Sequence, residues 1–172
     1  MKGRKVDLAS ANCGVARALQ VVGDWWSLLI VREAFLGEQR FGQFQKKLGL
    51  AKNILSLRLK KLVEEGILEV DDGPAPPRTR RYLLTHKGAQ LHVVLVALWQ
   101  WGEAYGGDSA LPPLSNRLFD RQTGLPLRPL EVQAENGRIL QPSDLTLVAD
   151  GAERPGQAPC VTTEGVTGES LA

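Results

Sequence analysis

Apolar residues recur along much of the chain at spacings of three and four, and the clearest such run covers residues 40–68, RFGQFQKKLGLAKNILSLRLKKLVEEGIL. This pattern predicts two short amphipathic helices joined by a turn. The first, at about Phe41–Leu48, stops at Gly49, whose tolerance of positive φ suits a helix end. A second helix restarts near Lys52, with Leu55, Leu59, Leu62 and Val63 on one face and Asn53, Ser56 and Lys60 directed away from it. The pair reads as a helix-turn-helix. Next, in residues 66–85, GILEVDDGPAPPRTRRYLLT, two short apolar runs flank a Gly/Pro-rich turn. Proline cannot donate to a central strand ladder, so the PAPP segment belongs in an exposed hairpin loop. A helix-turn-helix followed by a hairpin makes a winged helix.

The flanks extend this picture. Residues 13–22 keep Val15, Ala16, Leu19 and Val22 at helical spacing, and Gly23-Asp24 then breaks and re-caps the chain. A helix over about residues 25–36 has Trp26, Leu29, Ile30 and Phe35 to bury, with Arg32 and Glu33 as its polar positions. The tryptophans there are expected in the core, with an aromatic ligand platform at Trp25 as the alternative. Thr85 is expected to cap one long helix reaching about Tyr105, with Leu91, Val94, Leu95, Leu98, Trp101 and Tyr105 as its core face. Val93, Val96, Ala97 and Trp99 widen the apolar surface beyond what one stripe needs, so they are expected to meet a second copy of the chain. The alternative cover is the C-terminal segment.

Gly106-Gly107 and Pro112-Pro113 bracket a linker over residues 106–114. Beyond it, Gly124 to Pro129 and Gly137 to Pro142 repeat the pattern G-x-x-L-x-P, and Thr-Gly and Asn-Gly turns between short apolar runs predict a small β-hairpin extension over residues 115–150. Residues 151–172 are rich in Gly, Pro, Thr and Glu, and disorder is expected there. The expected fold class is mainly α with a small β-hairpin wing in residues 1–105, a winged helix-turn-helix, followed by a small C-terminal β-rich extension.

Charge sharpens the reading. The formal net charge is only +2, yet residues 1–105 hold 16 Lys and Arg against 10 Asp and Glu, whereas residues 106–172 hold 5 against 9. Basic character therefore concentrates in the winged helix, which suits a nucleic-acid partner there. Between Gln39 and Val63 there is no acidic residue at all. Arg40, Lys46, Lys47, Arg58, Lys60 and Lys61, with Arg78, Arg80 and Arg81 at the hairpin tip, are the candidate contacts to a phosphate backbone. The first turn of the second helix carries the side chains that reach base edges in a helix-turn-helix. Here these are Lys52, Asn53, Ser56 and Leu57: lysine suits guanine, asparagine pairs bidentately with adenine, and leucine can touch a thymine methyl.

Other chemistries find little support. Both histidines, His86 and His92, fall in one predicted helix, no Gly-rich phosphate loop follows a strand, and no carboxylate pair stands in an apolar setting, so no enzyme activity, cofactor or metal is expected. Cys160 stands alone beyond the linker, which leaves a zinc site unsupported. No apolar run approaches a membrane span of roughly 18 residues. MKGRKVDLASANC has a basic start without a long apolar core, so no secretion signal is read there and a cytoplasmic location is expected.

Several separated pieces in order resemble the HxlR family of winged-helix transcriptional regulators, related to the MarR type. They are Cys13, Gly23 with Trp26, residues 28–32, Arg40-Phe41, Asn53 with Leu55-Ser56 and Arg58-Leu59, Leu84-Thr85, Lys87-Gly88 and Trp101-Gly102, so the resemblance spans about residues 13–105. This chain departs from the family at Gly14, where proline is usual, at Trp25, where a basic residue is common, and in its arginine-rich wing. The resemblance implies a homodimeric regulator binding double-stranded DNA at a pseudo-palindromic operator, a repressor released by a small-molecule effector or a redox or electrophile signal. In one branch of the family the cysteine matching Cys13 is the sensor. Cys13 opens a helix with Arg17 one turn later, a setting that favours thiolate. The alternative from another class is a protein-interaction module, docking through the winged helix and the apolar last helix.

Overall fold

A computed structural model describes residues 8–73, 80–106, 116–148 and 151–152. Among the described residues the α-helices and strands are α1 Gly14–Val22, α2 Trp25–Phe35, α3 Phe41–Leu48, α4 Lys52–Glu64, β1 Leu68–Asp71, β2 Arg81–Leu84, α5 His86–Ala89 and α6 His92–Tyr105. The fold is mainly helical, with a two-stranded antiparallel sheet. The compact units are Met1–Leu130 and Glu131–Ala172.

The core is built from the apolar stripes of α2, α3 and α4. Ile30 and Val31 of α2, Phe44 of α3, and Leu55, Leu59 and Leu62 of α4 are buried together with Val22, Leu50, Ile67 and Leu68. The period of three and four places these residues on the inner faces, and each fully buried aliphatic side chain contributes roughly 1.5–3 kcal/mol relative to exposure. Gly49 ends α3 in the left-handed conformation at φ 64°, and its amide donates to the Gln45 carbonyl. This sharp stop sets the angle at which α4 departs. In the wing, Leu68 pairs with Leu84 and Val70 with Tyr82, while the Tyr82 amide donates to the Gln39 carbonyl at 2.7 Å, tying the hairpin to the segment before α3.

The expected single helix from Thr85 to Tyr105 is instead two. Thr85 accepts from the Gly88 amide and donates to the Gly66 carbonyl at 2.6 Å, so it caps only the four-residue α5. The Leu91 amide then bonds back to Gly88, a tight three-residue step, before α6 begins at His92. Gly88 explains the arrangement: a Cβ there would stand 2.1 Å from the Ile67 carbonyl oxygen. Close approach of α5 to the start of β1 fixes the short helix, and α6 leaves from a new cap.

Two further expectations about burial are corrected. Trp25 is 74% exposed and meets its neighbour Trp26 edge-to-face. The stripe expected to face the core on α6 does so only at its start, where Leu91 and Leu95 pack against the core. Val94, Leu98, Trp101 and Tyr105 are exposed, so the open side runs along the helix from its first turn to its end. In residues 116–148 the expected hairpins take the form of two isolated antiparallel bridges, Phe119 with Pro126 and Gln133 with Ile139, and a 3-10 turn, Pro142–Asp144.

Candidate nucleic-acid interface

The candidate recognition surface is the outer face of α4. Burial of Leu55, Leu59 and Leu62 leaves Lys52, Asn53, Ser56, Leu57 and Lys60 exposed on the other side of the same helix. Ala51 precedes the helix in an extended conformation and offers no side-chain cap, so first-turn amides stay available to a ligand phosphate. All four candidate base-reading residues therefore lie on solvent-facing surface at the N-terminal end of one helix.

α4 is held from behind by polar contacts that the pattern of apolar positions does not reveal. Asp24 caps α2 by accepting from the Ser27 amide at 3.0 Å and the Ser27 hydroxyl at 2.6 Å, and its Oδ1 lies 3.3 Å from Arg58 Nε. That approach is an ion pair without hydrogen-bond alignment, since Arg58 Nε is buried with no hydrogen-bond partner. Lys61 Nζ donates to the Gln20 carbonyl at 2.9 Å, linking α4 to the end of α1. Arg58 and Lys61 are thus half-buried and spend their charge on internal partners.

The remaining candidate phosphate contacts divide by their pairing. Arg40 and Lys46 are exposed and make no side-chain ion pair among the described residues, and the Arg40 amide is held by Gln43 Oε1 at 2.8 Å. Lys47 lies a loose 3.8 Å from Glu38, and Lys60 lies 3.6 Å from Glu64 one turn on. In the wing, Arg80 pairs with Asp72 at 3.2 Å and Arg81 with Asp71. The Arg81 hydrogen bond, followed by the Gly73 amide, holds the Asp71 carboxyl below the ordinary carboxylate value. Exposed pairs of this kind are worth little, so a phosphate can replace the acid as partner. Arg78 lies outside the described residues. Between α4 and the wing runs a groove of about 500 Å³ that includes Ser56, Lys60, Val70, Arg80 and Tyr82, a feature missed from sequence because it joins residues far apart in the chain.

The other candidate residues separate in space. Val93 and Ala97 are exposed on α6, with Val94, Leu98, Trp101 and Tyr105 nearby on the helix, whereas Val96 and Trp99 are half-buried and line a cavity toward α2. Gln100 is a further residue that sequence reasoning missed: its side chain donates to the Arg128 carbonyl and accepts from the Leu130 amide, both at 2.8 Å, so it docks residues 128–130 on α6. Cys13 is exposed at the N-cap of α1, and Arg17 Nε donates to the Ala11 carbonyl at 2.8 Å. Among the described residues no group of three or more His, Cys, Asp or Glu is placed to hold a metal, and no helix is long and apolar enough to cross a membrane.

The chain is similar to known proteins. The profile of the HxlR-like helix-turn-helix family matches residues 21–110. The uncharacterized HTH-type transcriptional regulator Rv3095 of Mycobacterium tuberculosis is 43% identical over 103 residues, covering 60% of this chain and 65% of that protein, slightly under two thirds of its length. The crystal structure of PA1607, a candidate transcription factor, is similar with a TM-score of 0.76 at 45% identity, over 83% of this chain and 98% of that one. The redox regulator HypR in its reduced form is similar with a TM-score of 0.50 at 26% identity, over 54% of this chain and 92% of its own. The chain belongs to the HxlR-like helix-turn-helix family of transcriptional regulators.

Proposed function

We propose that the protein is a homodimeric repressor that lies across a pseudo-palindromic operator, with one copy of α4 in the major groove of each half-site. The observation that carries this reading is the division of α4: three buried leucines on one side, and exposed Lys52, Asn53, Ser56 and Leu57 on the other. Arg40, Lys46, Lys60 and the wing arginines flank that face and serve the backbone, whereas Arg58 and Lys61 fix the pose of α4 and Lys47 lines a cavity toward α2 and α6. The exposed apolar face of α6 is the dimer surface, joined by Val15 and Leu19 of α1, which are also exposed. A two-fold protein reads a two-fold site, with half-sites about one helical turn apart. Footprinting of the full chain on the DNA upstream of its own gene tests this. Two protected half-sites at that spacing are expected, and a single short footprint would contradict the dimeric reading.

Cys13 is proposed as the signal-sensing residue, supported by its exposure at a helix start and by the likeness to the redox regulator HypR. Diamide treatment is expected to release operator DNA from the wild type and not from Cys13→Ser. Equal release from both, or none from either, leaves Cys13 a structural residue.

A further inference from the structure

Apart from the α4 face, a cavity of about 780 Å³ lies between the end of α2, the start of α6 and residues 116–118. Its size falls within the range of small-molecule sites, roughly 300–1,000 Å³. The walls are mainly apolar, from Phe35 and Leu36 of α2, Leu95, Val96 and Trp99 of α6, and Leu118. Charge at the cavity is one-sided. Among the described residues Glu33 is the only acid lining it; it is almost fully buried and is already engaged by its neighbour Arg32. Arg117 also lines it and makes no ion pair or hydrogen bond among the described residues, while Lys47 has only the distant Glu38. One more polar group is incomplete: Trp99 Nε1 is sealed from solvent and meets no acceptor. A buried donor without a partner is costly and rare in folded proteins.

We propose that this cavity binds a small apolar carboxylate, its hydrocarbon body against Phe35, Leu95, Val96 and Leu118 and its anionic head at Arg117 and Lys47. Trp99, whose Nε1 has no acceptor, lines the same cavity. Residues 116–118 form one wall, and Gln100 holds the following segment on α6 through Arg128 and Leu130, so the wall is anchored beside the cavity. The position gives the ligand leverage. α2 packs on α3 and α4, Lys47 belongs to α3, and α6 is the proposed dimer helix, so occupancy sets the angle between reading head and dimer axis. That regulatory consequence rests on the repressor reading above; the binding site itself does not.

Calorimetric titration of the full-length protein, without DNA, tests the site with 2-naphthoate and its neutral isostere 2-naphthamide. Saturable binding of naphthoate is expected, at least about tenfold tighter than naphthamide, since one charge-assisted contact is worth about that factor. Arg117→Gln, an exposed surface change, is expected to abolish most of that preference while leaving naphthamide binding unchanged, and Arg121→Gln, at an exposed arginine that does not line the cavity, is expected to change neither. Absence of naphthoate binding, equal affinity for the two probes, or a preference untouched by Arg117→Gln would overturn the site. A separate anisotropy measurement on operator DNA reads the consequence: naphthoate binding that leaves operator affinity unchanged keeps the site and contradicts its role as effector site.

Discussion

One carboxylate, that of Asp24, both caps α2 through Ser27 and faces Arg58 on the recognition helix. Replacing Asp24 by Ala is expected to lower stability by about 1–2 kcal/mol through loss of the cap, read as a shift in urea midpoint. The Arg58 charge is stranded by the same change, so operator affinity should fall as well; Asp24→Asn, which can still cap, should recover most of the stability. On the outer face of α4 the roles differ by chemistry. Asn53→Ala or Ser56→Ala should relax base preference at a few operator positions, by about 1–3 kcal/mol per lost bidentate contact, while Lys60→Ala should weaken all sequences alike. Uniform loss from both kinds of variant would show that reading and anchoring were assigned to the wrong residues. The cap at Asp24 and the faces of α4 were legible because both depend on local spacing. The Arg58 and Lys61 contacts were not, since charge alone does not say whether a lysine or arginine meets solvent, a phosphate or a carbonyl from another helix.

Among the elements, the helix-turn-helix and the wing follow directly from period, Gly49 and the proline-rich turn, because each is a short-range signal. The α5–α6 step does not. Residues 85–105 keep an apolar helical pattern throughout, and the interruption comes from a tertiary contact, the approach of Gly88 to the Ile67 carbonyl. Gly88→Ala must therefore move backbone, with an expected loss of about 1–3 kcal/mol as for other overpacked sites, measurable by chemical denaturation. A change within error of wild type would mean that α5 and β1 separate easily. The assignment of faces on α6 also needed the structure. Its apolar residues surround much of the helix, so periodicity cannot distinguish the side that packs on α2, the side that bounds the cavity and the side left open.

At the scale of the whole molecule, a single chain leaves an apolar strip on α6, ending in Trp101 and Tyr105 at 61% and 74% exposure. Contiguous exposure of this kind marks an interaction surface, and a second copy buries it in the proposed dimer. Leu98→Glu places a charge in that surface and is expected to give a folded monomer by sedimentation, with operator affinity reduced more than affinity for a single half-site. A wild-type protein that is monomeric at micromolar concentration would remove the dimer. The basic winged helix and the acidic remainder of the chain were visible in the sequence as a charge asymmetry, whereas the docking of residues 128–130 through Gln100 was not, because a glutamine on a helix announces no partner. The most direct measurement of the central claim is the salt dependence of full-chain binding to its own upstream DNA. If α4 and its flanking cations engage phosphates, the logarithm of affinity falls linearly with the logarithm of salt concentration, by about 0.9 for each phosphate neutralised, and Asn53→Ala alters sequence preference without changing that slope. An affinity indifferent to salt, or equal for operator and unrelated DNA at every salt concentration, would contradict it.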